Sequence, residues 1–89
     1  MKVIEIMTRC EVDEHVVRVW SKAELTESGS LTENINIRHA YIDTIVQGLA
    51  ASHGDSWEFT QRLAEEPLIA AFEILDDYGN GVVVYTEWP

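Results

Sequence analysis

The chain has 89 residues, 46% of them hydrophobic, and its 16 acidic and 6 basic side chains give a net charge of −10. This length predicts one domain spanning residues 1–89, and the apolar content is too high for a disordered chain. A single cysteine excludes an internal disulfide, and no apolar run is long enough to span a membrane. The charge opposes direct binding to nucleic acid and to anionic membranes. Because the apolar run at the start is also too short for a signal peptide, we expect a cytosolic protein, in bacteria or encoded by a phage.

The N-terminal segment predicts a β-hairpin. Residues 3–12 alternate between apolar and polar side chains, which indicates a half-buried strand. Asp13 and Glu14 suit a turn, and residues 15–20 are β-branched and aromatic, as expected of a second strand. Residues 23–30 are polar and predict a loop.

Two helices are expected next. Residues 34–37 alternate like a strand, yet residues 30–33 form a capping box that favours a helix. Helical periodicity is clear from Ile37 onward, with one apolar stripe formed by Ile42, Ile45, Val46 and Leu49. His53 and Gly54 predict its end, Asp55 caps a second helix, and Pro67 ends that one.

Residues after Pro67 predict a third helix and a last strand. Proline suits a first helical position, and the apolar residues that follow have helical spacing: Leu68, Ala71, Phe72 and Leu75. Residues 78–81 predict a turn and residues 82–88 a strand. The expected fold is α+β: a small antiparallel sheet, made of the N-terminal hairpin and the C-terminal strand, packed against two or three helices.

Residues 76–87 resemble the twelve-residue calcium loop of EF-hand proteins. The matching positions are one, five, six, eight and twelve, occupied by Asp76, Asn80, Gly81, Val83 and Glu87. The resemblance implies an entering helix before Asp76 and calcium ligation by the loop. The alternative is a helix that ends in a Gly-Asn-Gly turn before a valine-rich strand.

No residue pattern predicts catalysis. Cys10 falls on the apolar face of its strand, which indicates a buried structural thiol. The three histidines, His15, His39 and His53, lack the spacing of zinc ligands. Neighbouring acids are expected by chance among sixteen, so paired carboxylates are weak evidence for acid–base chemistry. We therefore expect no enzyme activity, no metal and no cofactor.

Acidic residues are the candidate site. On one helical wheel Glu66, Glu73 and Asp77 share one side, with Glu65 and Asp76 beside them. A second acidic group lies at the hairpin tip and contains Glu11, Asp13 and Glu14. Residues 39–89 hold nine acids against one base, Arg62, and therefore carry −8 of the charge. Such a surface either keeps the protein soluble or binds a basic partner.

The functional hypothesis is a non-enzymatic inhibitor that docks this acidic surface on a basic, nucleic-acid-binding protein. In size and charge the chain is similar to phage-encoded inhibitors of host defence, including the anti-CRISPR proteins that imitate DNA. An alternative hypothesis is a homodimeric structural or accessory domain, because four apolar residues exceed what one thin sheet can cover: Val16, Trp20, Val83 and Tyr85. Calcium binding by residues 76–87 is a third hypothesis.

Overall fold

The computed structural model describes residues 2–25, 31–52 and 54–86. In chain order the elements are strands β1 (Lys2–Val12) and β2 (His15–Leu25), helices α1 (Leu31–Ser52) and α2 (Ser56–Glu65), and strands β3 (Ala71–Leu75) and β4 (Val83–Tyr85). The described strands form one antiparallel sheet with the order β1-β2-β3-β4. The expected α+β class is confirmed.

The N-terminal hairpin is confirmed, and its second strand is longer than predicted. β1 and β2 pair along their whole lengths, from Lys2 with Leu25 to Val12 with His15. The prediction of a loop from residue 23 was therefore wrong for residues 23–25, because pairing with β1 satisfies their backbone. Residues 26–30 lie outside the described residues. Asp13 and Glu14 have φ of 47° and 68°, the left-handed values of a tight two-residue hairpin turn.

Helix α1 begins earlier than the clear periodicity indicated, so the ambiguous residues 34–37 are helical. Two members of the predicted apolar stripe, Ile42 and Val46, are fully buried. The capping residue Ser30 and the predicted stop at His53 lie outside the described residues. The start of α2 is confirmed, since the Asp55 carboxylate accepts a hydrogen bond of 2.7 Å from the backbone N–H of Glu58.

The prediction of a third helix after Pro67 was wrong. Residues after Pro67 make a short turn and then enter strand β3, which pairs with β2 on one side and β4 on the other. Phe72 is buried in the core and Glu73 lies on the opposite face of the sheet, as alternation requires. The final strand is confirmed over Val83–Tyr85 but is shorter than predicted, since Val82 and Thr86 are not part of it; residues 87–89 lie outside the described residues.

Both helices pack on the same face of the sheet, and the core lies between the two layers. α1 covers the hairpin, while α2 contacts α1 and β3. The core cluster comprises Cys10, Val12, Val17, Val19, Ile42, Val46, Phe59, Leu63, Ile69 and Phe72. Polar bonds also join the layers: Arg38 donates to the carbonyl of Lys22 at 2.8 Å, and Thr8 Oγ1 lies 2.9 Å from His39 Nδ1.

Across the described residues, neither helix combines the length and the apolar character that crossing a membrane requires.

Candidate interaction surfaces

Three connections meet at one end of the sheet. The hairpin turn follows Val12, which pairs with His15, and the β3–β4 turn follows Leu75, which pairs with Val16. The link between α1 and α2 reaches the same end, since Asp55 and Asp13 line one cleft. We define the acidic end as the five carboxylates that these connections bring together: Asp13, Glu14, Asp55, Asp76 and Asp77.

The acidic end has no countercharge of its own. Its five carboxylates are exposed, and the connecting residues 13–14, 54–55 and 76–82 contain no lysine or arginine. Within the described part of the chain, ion pairs join other residues, including Arg9 with Glu11 and Arg18 with Glu73. Negative potential from these carboxylates therefore accumulates at this end of the sheet.

Hydrogen bonds fix two of the five carboxylates. Asp55 caps α2, as described above, and Asp76 Oδ1 accepts from the backbone N–H groups of Tyr78 and Asn80, both at 2.9 Å. The turn is closed by Asp76 itself, whose N–H donates to the carbonyl of Asn80 at 2.7 Å.

A cleft of about 250 Å³ opens at the acidic end between the hairpin and the helices. Its walls are mainly apolar and come from both layers, including Val17, Ala50, Phe59 and Ile74. Asp13, His15 and Asp55 also line it, so carboxylates stand beside an apolar recess. The volume is below that of a typical small-molecule pocket and suits one side chain.

The first predicted group of acids (Glu65, Glu66, Glu73, Asp76 and Asp77) does not form one surface, because residues 71–75 are a strand and not a helix. Glu73 lies on β3 and pairs with Arg18 at 3.3 Å, with only 12% of its side chain exposed. Glu65 pairs with Arg62 at the C-terminal end of α2, and Glu66 caps that helix end. Asp76 and Asp77 lie at the other end of β3, beside the hairpin turn.

The second predicted acidic group is divided as well. Asp13 and Glu14 form the turn and belong to the acidic end. Glu11 pairs with Arg9 at 3.5 Å on the sheet face that points away from the helices. The structure therefore unites part of each predicted group and adds Asp55, which the sequence indicated only as a helix cap.

We call the sheet surface that points away from the helices the outer face. Antiparallel partners stand directly opposite each other, so the register defines rows across the sheet. The arginine row is Arg9, Arg18, Glu73 and Val83, and the aromatic row is Met7, Trp20, Ala71 and Tyr85. The remaining charged side chains described on this face are Glu5, Lys22 and Glu11.

The described side chains of the outer face are electrically balanced. They include three acids, Glu5, Glu11 and Glu73, and three bases, Arg9, Arg18 and Lys22. Arg9 stands directly opposite Arg18, which would be unfavourable alone, but each of them pairs with a carboxylate. Apolar side chains are exposed beside them, with Met7 at 43% and Tyr85 at 82%. The predicted apolar residues Val16, Trp20, Val83 and Tyr85 all lie on this face, joined by Met7.

The structure describes the thiol and two of the three imidazoles, those of His15 and His39. Cys10 is 1% exposed, and burial together with the neighbouring Asp43 carboxylate, which accepts its hydrogen bond, raises its pKa from 9.0 to about 12. A thiol held protonated in this way is a poor nucleophile. His39 contacts Thr8 between the layers, and His15 lines the cleft. Among the described residues, no group of three histidine, cysteine, aspartate or glutamate side chains is arranged to hold a metal ion.

The structure before the calcium-loop-like segment differs from that of an EF-hand. An entering helix was implied, but Ala71–Leu75 is a strand, and the segment is a β-hairpin whose second strand begins at Val83. The Asp76 side chain accepts bonds from its own turn. Glu87, the implied bidentate ligand, lies outside the described residues, and calcium binding itself stays an untested prediction.

Two exposed aromatic residues near the acidic end were not singled out from the sequence. Tyr78 follows Asp77 and is 89% exposed, and Trp57 in the first turn of α2 is 71% exposed. Exposed tyrosine and tryptophan are enriched among the residues that dominate protein–protein binding. The sequence could have indicated them, because Trp57 lies close to the N-cap residue Asp55 and Tyr78 directly follows Asp76 and Asp77.

Comparison of the chain with protein-family models, curated proteins and solved structures finds no match.

Proposed function

We propose that this chain is a non-enzymatic binding protein that docks its acidic end on a basic surface of another protein. The observation that supports this most is the segregation of charge. Five carboxylates gather at one end without an arginine or lysine in their own connections, while acids and bases are equal in number among the described side chains on the outer face of the same sheet. A charge distribution that served only to keep the chain dissolved has no need of such separation.

The cleft suggests the chemistry of the contact. Arginine and lysine carry an apolar stem and a cationic head, and they bury the stem while the head stays near polar groups. A cleft with apolar walls and with Asp13 and Asp55 at its lining offers both environments to one such side chain. Tyr78 and Trp57 stand nearby as exposed aromatic surface, on which a guanidinium can stack.

The favoured partner is a nucleic-acid-binding protein, and the favoured consequence is inhibition. Basic grooves that hold phosphates attract a compact group of carboxylates by the same field. A protein that occupies such a groove excludes nucleic acid from it. Phage-encoded inhibitors of host defence, including DNA-imitating anti-CRISPR proteins, are similar in size and charge, so a defence nuclease is the first partner class to test.

The test is displacement of DNA from purified basic DNA-binding proteins, defence nucleases among them, each loaded with a short fluorescein-labelled duplex. Fluorescence anisotropy reports release as the chain is added. We expect release by at least one protein of the panel, with affinity falling steeply as salt rises, because the interaction is electrostatic.

A matched pair of variants locates the contact. Glu14→Lys with Asp77→Lys alters the acidic end, while Glu58→Lys with Glu65→Lys makes the same charge change on α2. Filling the cleft with Ala50→Met leaves the charge unchanged. We expect the first and third variants to weaken displacement by about tenfold or more and the second to have a much smaller effect. Equal effects of the two double variants would mean that only net charge matters, and the proposal would be wrong.

A further inference from the structure

We infer that the outer face is a binding surface for a second copy of this chain. The helices leave this side of the sheet bare, and exposed apolar side chains lie along it, including Met7, Val83 and Tyr85. A chain of net charge −10 repels its own copies from most directions. On the part of the outer face that all four strands form, Arg9 and Arg18 stand beside Glu11 and Glu73, so that repulsion is locally reduced.

The two rows are complementary to themselves under a two-fold rotation. The relevant axis lies parallel to the strands, midway between β2 and β3, in the plane where two sheets would meet. Rotation about it places β1 of one copy over β4 of the other, and β2 over β3. In the arginine row Arg18 then faces Glu73 of the second copy, so opposite charges meet twice across the axis.

The aromatic row is complementary in size. The same rotation places Trp20, the largest side chain of the row, opposite the smallest, Ala71. It also places Met7 opposite Tyr85, which pairs two exposed apolar side chains. Sheets that pack face to face interdigitate large and small side chains in this manner. No other in-plane axis parallel to the strands places all four strands of one copy over four strands of the other.

The rotation also fixes the arrangement of the acidic ends. An axis parallel to the strands leaves strand direction unchanged, so both acidic ends lie at the same end of the dimer. The two clusters of five carboxylates oppose association, and salt screens that repulsion. Dimerisation is therefore expected to strengthen as salt rises, which is the opposite of the dependence expected for binding to a basic partner.

The test is sedimentation velocity of the full chain from roughly 10 μM to 1 mM, a range suited to an interface at the small end of the known sizes. Measurements at about 0.05 M and about 0.5 M NaCl vary the screening length several-fold. We expect a monomer–dimer equilibrium with a larger association constant at high salt. A monomer at every concentration and salt, or a dimer that dissociates as salt rises, would overturn the inference.

Lysine variants locate the interface. Met7→Lys and Tyr85→Lys place a charge in the aromatic row, and Tyr41→Lys makes the same charge change at an exposed position of α1. Each lowers the net negative charge, which alone favours association. We expect the first two to reduce the association constant about tenfold or more, and Tyr41→Lys to leave it equal or slightly raised. Equal association by all three variants would place the contact elsewhere and contradict the proposed face.

A measurement on the unaltered chain covers the case in which a lysine variant does not fold. Dilution of the ¹⁵N-labelled protein is expected to shift amide signals of β1 to β4, with the largest changes in the two rows and little change in α2. Shifts concentrated in α2 or α1 would contradict the proposed face. DNA displacement by the Met7→Lys variant separates the two proposals, since it tests the acidic end whether or not the dimer forms.

Discussion

The outer face and the acidic end are both exposed, but their charges are organised differently. On the outer face two pairs of opposite charges stand across neighbouring strands, Glu5 with Lys22 and Arg18 with Glu73, and side chains opposite each other in a sheet are about 5 Å apart. Pairing register therefore balances charge there, as with Arg18 and Glu73 at 3.3 Å. The acidic end is built from three connections, which have no such register. Uncompensated charge accumulates where the chain turns, and the strands stay neutral.

The outer face and the acidic end meet at Gly81, which lies in the β3–β4 connection and packs against Glu73. A Cβ atom there would lie 2.7 Å from Glu73 Cγ and 2.8 Å from the carbonyl oxygen of Ile74, both closer than normal contact. We expect Gly81→Ala to lower the free energy of unfolding by roughly 1–3 kcal/mol, the usual cost of overpacking. Urea denaturation measures it. Gly48→Ala is the control, because nothing lies within 4 Å of that position on α1, and it is expected to stabilise by roughly 0.5–1 kcal/mol.

The inner face of the sheet, opposite the outer face, excludes water, and the ionisation of the Cys10 thiol measures how well it does so. Its folded pKa, about 12, lies above the ordinary value of 9.0. The folded state therefore holds the proton more tightly than the unfolded state. The stability that this contributes is complete below pH 9 and is lost as pH rises from 9 towards 12.

We accordingly expect the thiol to lower the free energy of unfolding by roughly 2 kcal/mol between pH 8 and pH 10.5. Urea denaturation of the native chain and of Cys10→Ala at both pH values isolates this slope, since the variant lacks the thiol. A thiol reagent at pH 8 is expected to label the folded chain only at the rate of unfolding. Fast labelling of the folded chain would show that water reaches the inner face.

Carboxylates within the acidic end divide into structural and free ones. Asp55 caps α2 through a bond of 2.7 Å, and its replacement by alanine is expected to cost about 1 kcal/mol of stability. Asp77 is exposed beyond β3, and Asp77→Ala is expected to change stability by less than about 0.5 kcal/mol. Thermal unfolding of the two variants compares them. Equal losses would mean that the cap does not set the start of the helix.

Ion pairs provide the smallest contrast. Arg18 and Glu73 form a pair in which the carboxylate is 12% exposed, whereas both side chains of the Arg62–Glu65 pair are more than half exposed. We expect Arg18→Gln to cost about 1 kcal/mol, because it leaves Glu73 without its partner, and Arg62→Gln less than about 0.5 kcal/mol. Unfolding in urea at low and high salt measures both. A larger loss of stability for Arg62→Gln than for Arg18→Gln would contradict the claim that charge pairing on the outer face stabilises the fold.

Local signals predicted much of the fold. Alternation gave the hairpin, and the Asp55 cap gave the start of α2, because both patterns act within a few residues. Strand β3 was missed because Leu68, Phe72 and Leu75 have helical spacing in a segment of only five strand residues. What makes it a strand is pairing with β2, more than fifty positions earlier, as the Arg18–Glu73 bond illustrates. A nonlocal partner has no signature in a short apolar run.

The same error decided how the acidic residues were grouped. Asp13, Glu14, Asp76 and Asp77 were identified from the sequence, but a helical wheel placed Glu73 beside the last two. In a strand, Glu73 belongs to the outer face, and the turn that follows β3 meets the hairpin turn instead. Asp55 joined the group because α2 packs over the same end of the sheet, a relation that only the tertiary structure contains.

Near-surface electrostatic potential tests the central claim most directly. Paramagnetic relaxation of backbone amides, measured with a cationic and with an anionic nitroxide of the same size, gives the local potential residue by residue. At a concentration where the chain is monomeric, we expect the strongest preference for the cationic probe at residues 13–14, 54–55 and 76–79, and nearly equal effects of the two probes around Met7, Trp20 and Tyr85. An equally negative potential over both regions would contradict the separation of charge on which the proposed function depends.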